Sequence, residues 1–240
     1  MTDLLYQTDS YLQEFSATVT GVDAEQHGVY LDRTAFYPGG GGQPNDAGQL
    51  IVGARTYTVT KAGRGNIHVL AGDELPAVGA EVKGVLDWER RYMLMRTHTA
   101  MHILCGVVWR DYGASVTGGN MEPLNGRMDF EFERMQKELV AEIEERINVE
   151  VAAARDLRVA ILPRDDAFQI PDLIRTKINL LPEGIREVRT VEIIGLDLQA
   201  DGGTHVANTR EVGHIRITDY KSKGGINKRI YVELETAPGA

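Results

Sequence analysis

Up to residue 86 the apolar positions come in short bursts, Ala17 to Val22, Gly28 to Leu31, Gln49 to Val52, Thr56 to Thr60, Asn66 to Leu70 and Glu81 to Leu86, with Gly, Asp, Asn and Pro between them. Bursts of that length bounded by turn formers read as β-strands, and a succession of them predicts a small barrel or sandwich. The period changes at Asp87. From Trp88 to Tyr112 only Gly106 interrupts, and Met93, Met101, Leu104, Val108 and Tyr112 recur at intervals built from three and four residues. That spacing predicts a helix, closed by Gly113 as its C-terminal cap. A second helix is predicted over about Met135 to Ala154, where Leu139, Ile143, Ile147 and Val151 form a ladder toward a core. Its Glu138, Glu142, Glu144, Glu145 and Glu150 read as a solvated outer face. Leu157 to Leu162, Arg186 to Ile194, Glu211 to Thr218 and Arg229 to Leu234 read as further strands. The expectation is therefore a β-barrel-like domain over 1–87, then an α+β domain over 88–240 with two main helices on a largely antiparallel sheet.

Composition narrows the class. A chain of 240 residues with 42% hydrophobic content supports one large domain or two modest ones without staples. No apolar run approaches the roughly 18 residues of a membrane span, and Met1 to Ser10 lacks the character of a signal peptide, so a cytoplasmic location with no membrane partner is expected. Cys105 is the single cysteine, which rules out an internal disulfide. A net charge of −9 argues against coating nucleic acid by bulk electrostatics, so any RNA contact has to be local.

Candidate chemistry begins with His98 and His102, four residues apart on one face of the first predicted helix. Such a pair can bind one metal ion but also arises by chance. Thr99 stands where a zinc peptidase would need its glutamate, so that class is excluded. The companion lies about a hundred residues downstream in Asp201-Gly202-Gly203-Thr204-His205, where a carboxylate and an imidazole flank a Gly-Gly turn. His98, His102, Asp201 and His205 together make a four-ligand metal set, or three histidines with an open position if Asp201 stays out. Cys105 returns to nearly the same helix face, but three donors spread over about 10 Å of axis converge poorly, so it reads as a small buried hydrophobe.

Tyr37-Pro38-Gly39-Gly40-Gly41-Gly42-Gln43-Pro44 is a glycine run stiffened by proline on both sides. No Lys-Ser/Thr follows, so it is not a Walker loop, and a bare backbone closely approaching a ligand or a neighbouring domain is the better account. Lys221, Lys223, Lys228 and Arg229 fall in one short segment, Lys221 to Arg229, that contains no acidic residue, and Arg90, Arg91 and Arg96 lie beside the first helix. Both groups are candidates for RNA phosphates.

These segments, in this order, resemble the AlaX family of alanyl-tRNA editing proteins, relatives of the editing domain of alanyl-tRNA synthetase. The carriers are Phe36 to Pro44, Met95 to His102 and Gln199 to Thr209, and the likeness spans nearly the whole chain. The resemblance implies that the second domain is an editing domain holding zinc. It implies a hydrolase that cleaves the aminoacyl ester of seryl- or glycyl-tRNA mischarged on alanine tRNA. It leaves no counterpart for an adenylation domain, so an ATP-independent editor acting in trans is expected; the oligomeric state is left open, with a monomer favoured. Thr117, with Asn120 second, matches the polar pocket position, and Gly39, Gly40, Gly41, Gly42, Arg96, Lys221, Lys223, Lys228 and Arg229 become the expected tRNA contacts. The family usually has Cys where this chain has Asp201, a harder donor that relaxes the preference for zinc and admits other divalent transition metals. The alternative reading is a metal-stabilised module that grips the tRNA acceptor stem without hydrolysis.

Overall fold

Alternating burial along the early strands closes them into a barrel, in a computed structural model that describes residues 2–174 and 184–235. After β1 (Asp3–Leu4) come β2 (Glu14–Asp23), β3 (Gly28–Leu31), β4 (Arg33–Thr34), β5 (Gly48–Val52), β6 (Arg55–Ala62), β7 (His68–Leu70) and β8 (Glu81–Leu86). The barrel order is β2-β3-β7-β6-β5-β8, while β1 and β4 pair separately in parallel. On β2 the buried residues are Phe15, Ala17 and Val19, every second position, as a pleated strand with one face inward requires. They meet Leu31, Phe36, Leu50, Val59, Val82 and Leu86 in one apolar core. Closure leaves these six strands no open edge.

The chain divides into two compact units, Met1–Met93 and Leu94–Ala240, so the division falls inside α1 (Trp88–Tyr112) and not at its start. The first turn of α1 explains this. Arg91, fully buried, forks onto Asp46 and donates to the carbonyls of Ala35 and Ser10, which ties that turn to the first unit.

In the second unit α1 is buried on every side from Leu94 to Val108, beyond the single stripe that the apolar spacing marks out. Gly113 ends it in a left-handed conformation (φ 62°), donating to the Trp109 carbonyl 3.0 Å away. Next come the hairpin β9 (Val116–Glu122) and β10 (Asn125–Glu131), α2 (Lys137–Ala152), β11 (Leu157–Pro163), the short α3 (Arg164–Ala167), β12 (Glu187–Ile193), β13 (Asp197–Ala200), β14 (Ile215–Ser222) and β15 (Asn227–Leu234). They form two antiparallel sheets, β14-β15-β10-β9 and β11-β12-β13. A Cβ at Gly126 of β10 would lie 2.6 Å from Met101 Sδ, so the helix rests directly on that strand. Among the described residues no helix is long and apolar enough to cross a membrane.

Three expectations need correction. The buried stripe of α2 is Val140, Ile143, Ile147 and Val151, with Leu139 half-buried, so the helix is rotated from the predicted ladder. Glu150, assigned to the outer face, is buried, where it accepts from Arg110 and Arg155 at 2.5 Å each. Burial would raise its pKa, and the two guanidiniums outweigh burial and lower it. The strand expected from Glu211 starts at Ile215, because Asn208 and Glu211 form a reciprocal capping box around a short 3-10 turn.

Candidate metal centre

The helical spacing of α1 sets His98 and His102 one turn apart, with ring centroids 5.1 Å from each other. Their partners arrive on the segment leaving β13. Asp201 is held there by its own backbone, with its N–H donating to the Arg189 carbonyl and its C=O accepting from Arg189 Nη1. Its Oδ2 also accepts from Gly203 N at 2.8 Å, an Asx-type turn that swings the chain back toward the helix. That turn delivers His205 to 4.2 Å from His98 and 4.7 Å from His102, centroid to centroid. One donor atom from each of His98, His102, Asp201 and His205 lies within 4.8 Å of all the others.

Electrostatics suit a cation. Burial holds His98 well below the usual imidazole range and His205 at about 4, so both rings are neutral and present lone pairs. Burial also pushes His102 down, but its hydrogen bond to Asp197 and the nearby carboxylates prevail and raise it. Asp201 would be raised by burial, yet the surrounding imidazoles keep it well below the ordinary carboxylate range. Asp201 is thus an anion enclosed by three histidines, 3.6 Å from His98 Nε2 and 2.9 Å from His205 Nε2.

The residues fit a divalent ion. Donors about 2.0–2.1 Å from a tetrahedral zinc stand about 3.3 Å from one another, so a set whose atoms lie within 4.8 Å of each other would close by no more than about 1.5 Å to hold one. Three imidazoles and a carboxylate form a donor set accepted by zinc and by other first-row divalents. Cys105 is buried beside Gln199 and lies outside the cluster. Sequence reasoning missed the groups behind the rings. Thr99 Oγ1 lies 3.1 Å from His205 Nδ1 and accepts from Val206 N, while Asp197 Oδ2 lies 3.1 Å from His102 Nδ1. Thr99 falls between the two helical histidines, and Asp197 precedes Asp201 by four residues. Nothing in that spacing marks either one as a support.

The remaining candidates are placed elsewhere. Thr117 and Asn120 are exposed on β9, where the Thr117 hydroxyl donates to Asn227 Oδ1 at 2.9 Å. Gly39, Gly40, Gly41 and Gly42 all have positive φ (84°, 141°, 57° and 91°), a run that side chains resist and glycine permits. Reciprocal bonds between Gly40 and Gln43 and the Tyr37 hydroxyl on the Gly40 carbonyl hold the loop. Lys221 and Lys223 are exposed, with Lys221 against Asp219 and over the Tyr231 ring. Arg96, Arg91 and Lys228 differ from the expected exposed phosphate ligands. Arg96 is buried, donating to the carbonyls of Val212 and Glu235, Arg91 is spent on Asp46, and Lys228 turns onto the carbonyls of Gly224 and Gly225. Arg229 forks onto Asp129 at 2.6 and 2.7 Å.

Residues 188–231, which include Asp201 and His205, match the family described as threonyl and alanyl tRNA synthetase second additional domain. Residues 7–90 match the family of class II (A) tRNA synthetases. The chain is 40% identical over 243 residues to alanyl-tRNA editing protein AlaX-M of Saccharolobus solfataricus, an alignment spanning 98% of this chain and 100% of that protein. It is 39% identical over 245 residues to the protein of the same name from Methanosarcina mazei, spanning 98% and 97%. It is also 38% identical over 222 residues to alanine--tRNA ligase of Ignicoccus hospitalis, where 89% of this chain aligns with 24% of the ligase.

Proposed function

Since the chain belongs to the AlaX family of alanyl-tRNA editing proteins, we propose that it is a trans-editing hydrolase that removes serine or glycine from mischarged alanine tRNA in a metal-dependent reaction. The observation that carries this reading is the buried convergence of His98, His102, Asp201 and His205. The reaction adds water across the ester between the amino acid and the terminal ribose, breaking the acyl C–O bond and leaving a free ribose hydroxyl. When bound, a zinc ion supplies positive charge that polarises the ester and orients it. His98 and His205 stay neutral as donors, and Asp201 balances part of the ion's charge. Burial of the three imidazoles, with Asp201 largely shielded beside them, limits screening of that charge by bulk water.

For a serine substrate, discrimination has to act on the hydroxyl that alanine lacks. A site built to hydrogen-bond a substrate hydroxyl rejects the analogue without it by about 10⁴ to 10⁵. On the family resemblance Thr117, with Asn120, is the proposed reader. The left-handed glycine run Gly39 to Gly42 and the exposed Lys221 and Lys223 are the proposed tRNA contacts, which suits a protein whose overall charge is −9.

The test is deacylation of seryl-, glycyl- and alanyl-charged alanine tRNA by the purified protein, with and without chelator. Release of serine or glycine that stops on chelation and returns with zinc supports the reading. Tight tRNA binding with no release would replace it by an acceptor-stem-binding module.

A further inference from the structure

Gly106 is the one glycine within α1, where glycine costs helix stability, and the structure shows what it permits. A Cβ at this position would lie 2.9 Å from Leu196 Cγ and 3.0 Å from Asp197 Cβ. The turn between β12 and β13 therefore presses directly onto the helix, one turn beyond His102. At that contact Asp197 begins β13, in register with Ile193, and its buried carboxylate reaches His102 Nδ1 at 3.1 Å. Gln199, the next residue on the same face of the strand, donates to the same carboxylate oxygen at 2.6 Å and lies 3.3 Å from Cys105 Sγ.

We infer that Asp197 is a positioning residue for the metal centre, placed by Gly106 and steadied by Gln199, which commits His102 to offer Nε2 to the ion. An imidazole has two nitrogens, and the hydrogen bond made by one decides which is left to bind. With Nδ1 engaged by Asp197, the ring cannot rotate or present its other nitrogen without breaking a buried contact to a carboxylate. His205 is held in the same sense by Thr99, but through a neutral hydroxyl. The two supports are therefore unequal, and the anionic one raises the donor strength of His102.

This inference rests on the metal reading above, and its test separates the two. Zinc affinity is measured by chelator competition, and the ligand-field spectrum of the cobalt(II) form is recorded, for wild type, Asp197→Ala, Asp197→Asn and Gly106→Ala. Circular dichroism and thermal melts establish that each variant is folded. Loss of such a partner typically costs about 10- to 100-fold in metal affinity. Asp197→Ala is expected to fall in that range with a shifted cobalt spectrum. Asp197→Asn should recover part of the loss, since its amide oxygen can still accept from Nδ1, and Gly106→Ala should weaken binding by displacing Asp197. A folded Asp197→Ala protein with the wild-type affinity and spectrum would overturn the inference while leaving the metal reading intact. A wild-type protein that binds neither zinc nor cobalt would overturn both.

Discussion

Asp201 concentrates the chemistry of single residues, because one carboxylate balances three imidazoles and also holds the Gly203 turn. Replacing it by cysteine exchanges a hard oxygen for a soft thiolate. Asp201→Cys is expected to raise selectivity for zinc over manganese by at least about tenfold, read from metal content after equilibration in a mixture of the two. An unchanged ratio would mean that the side chain at 201 does not ligate. At this scale the sequence was informative where chemistry shows in spacing. His98 and His102 share a helix face, and Asp201 and His205 flank a turn, so both pairs stand out. Thr99, Asp197 and Gln199 act from behind the rings, through strand register and a close helix contact that no local pattern reveals.

At the scale of elements, the short apolar bursts and the long Gly-poor stretch were legible because burial imposes its period on them. The hairpin β9–β10 was not, since Thr117-Gly118-Gly119-Asn120 is written in turn formers and becomes a strand only by pairing with β10, which β15 pairs in turn. The acidic face of α2 misled for a different reason. Charge pattern alone cannot show that Arg110 and Arg155 converge on one glutamate of the five. Removing Glu150 strands two partly exposed guanidiniums, so Glu150→Ala is expected to cost about 1–2 kcal/mol. Glu138→Ala on the exposed first turn should stay within about 0.5 kcal/mol. Urea unfolding of the two variants measures the contrast, and equal effects would remove the special role of Glu150.

At the scale of the whole molecule, protons and metal both bear on stability. His68 is buried in the first unit against Thr34 and the Val29 carbonyl, and burial lowers its pKa to about 4 from 6.5. The unfolded chain therefore binds a proton more readily. The stabilisation is complete above about pH 6.5 and is lost as pH falls toward 4, amounting to about 3 kcal/mol. A His68→Gln protein, with nothing to titrate there, should lose less stability over that interval than wild type in denaturant titrations. Metal should act in the opposite direction, because an ion that binds only the folded form stabilises it by mass action. Saturation at a hundred times the dissociation constant corresponds to about 2.7 kcal/mol, so chelation should lower the melting temperature of wild type and spare a His98→Ala/His205→Ala double variant. The enclosure of α1 from Leu94 to Val108 has a dynamic consequence as well. Backbone amides there can meet solvent deuterium only when the surrounding unit opens, so their exchange should be among the slowest in the chain. Two of the imidazoles would then ride on one of the slowest-opening segments, and under the proposed function the yielding that accommodates an RNA end would come from the strands and turns around them.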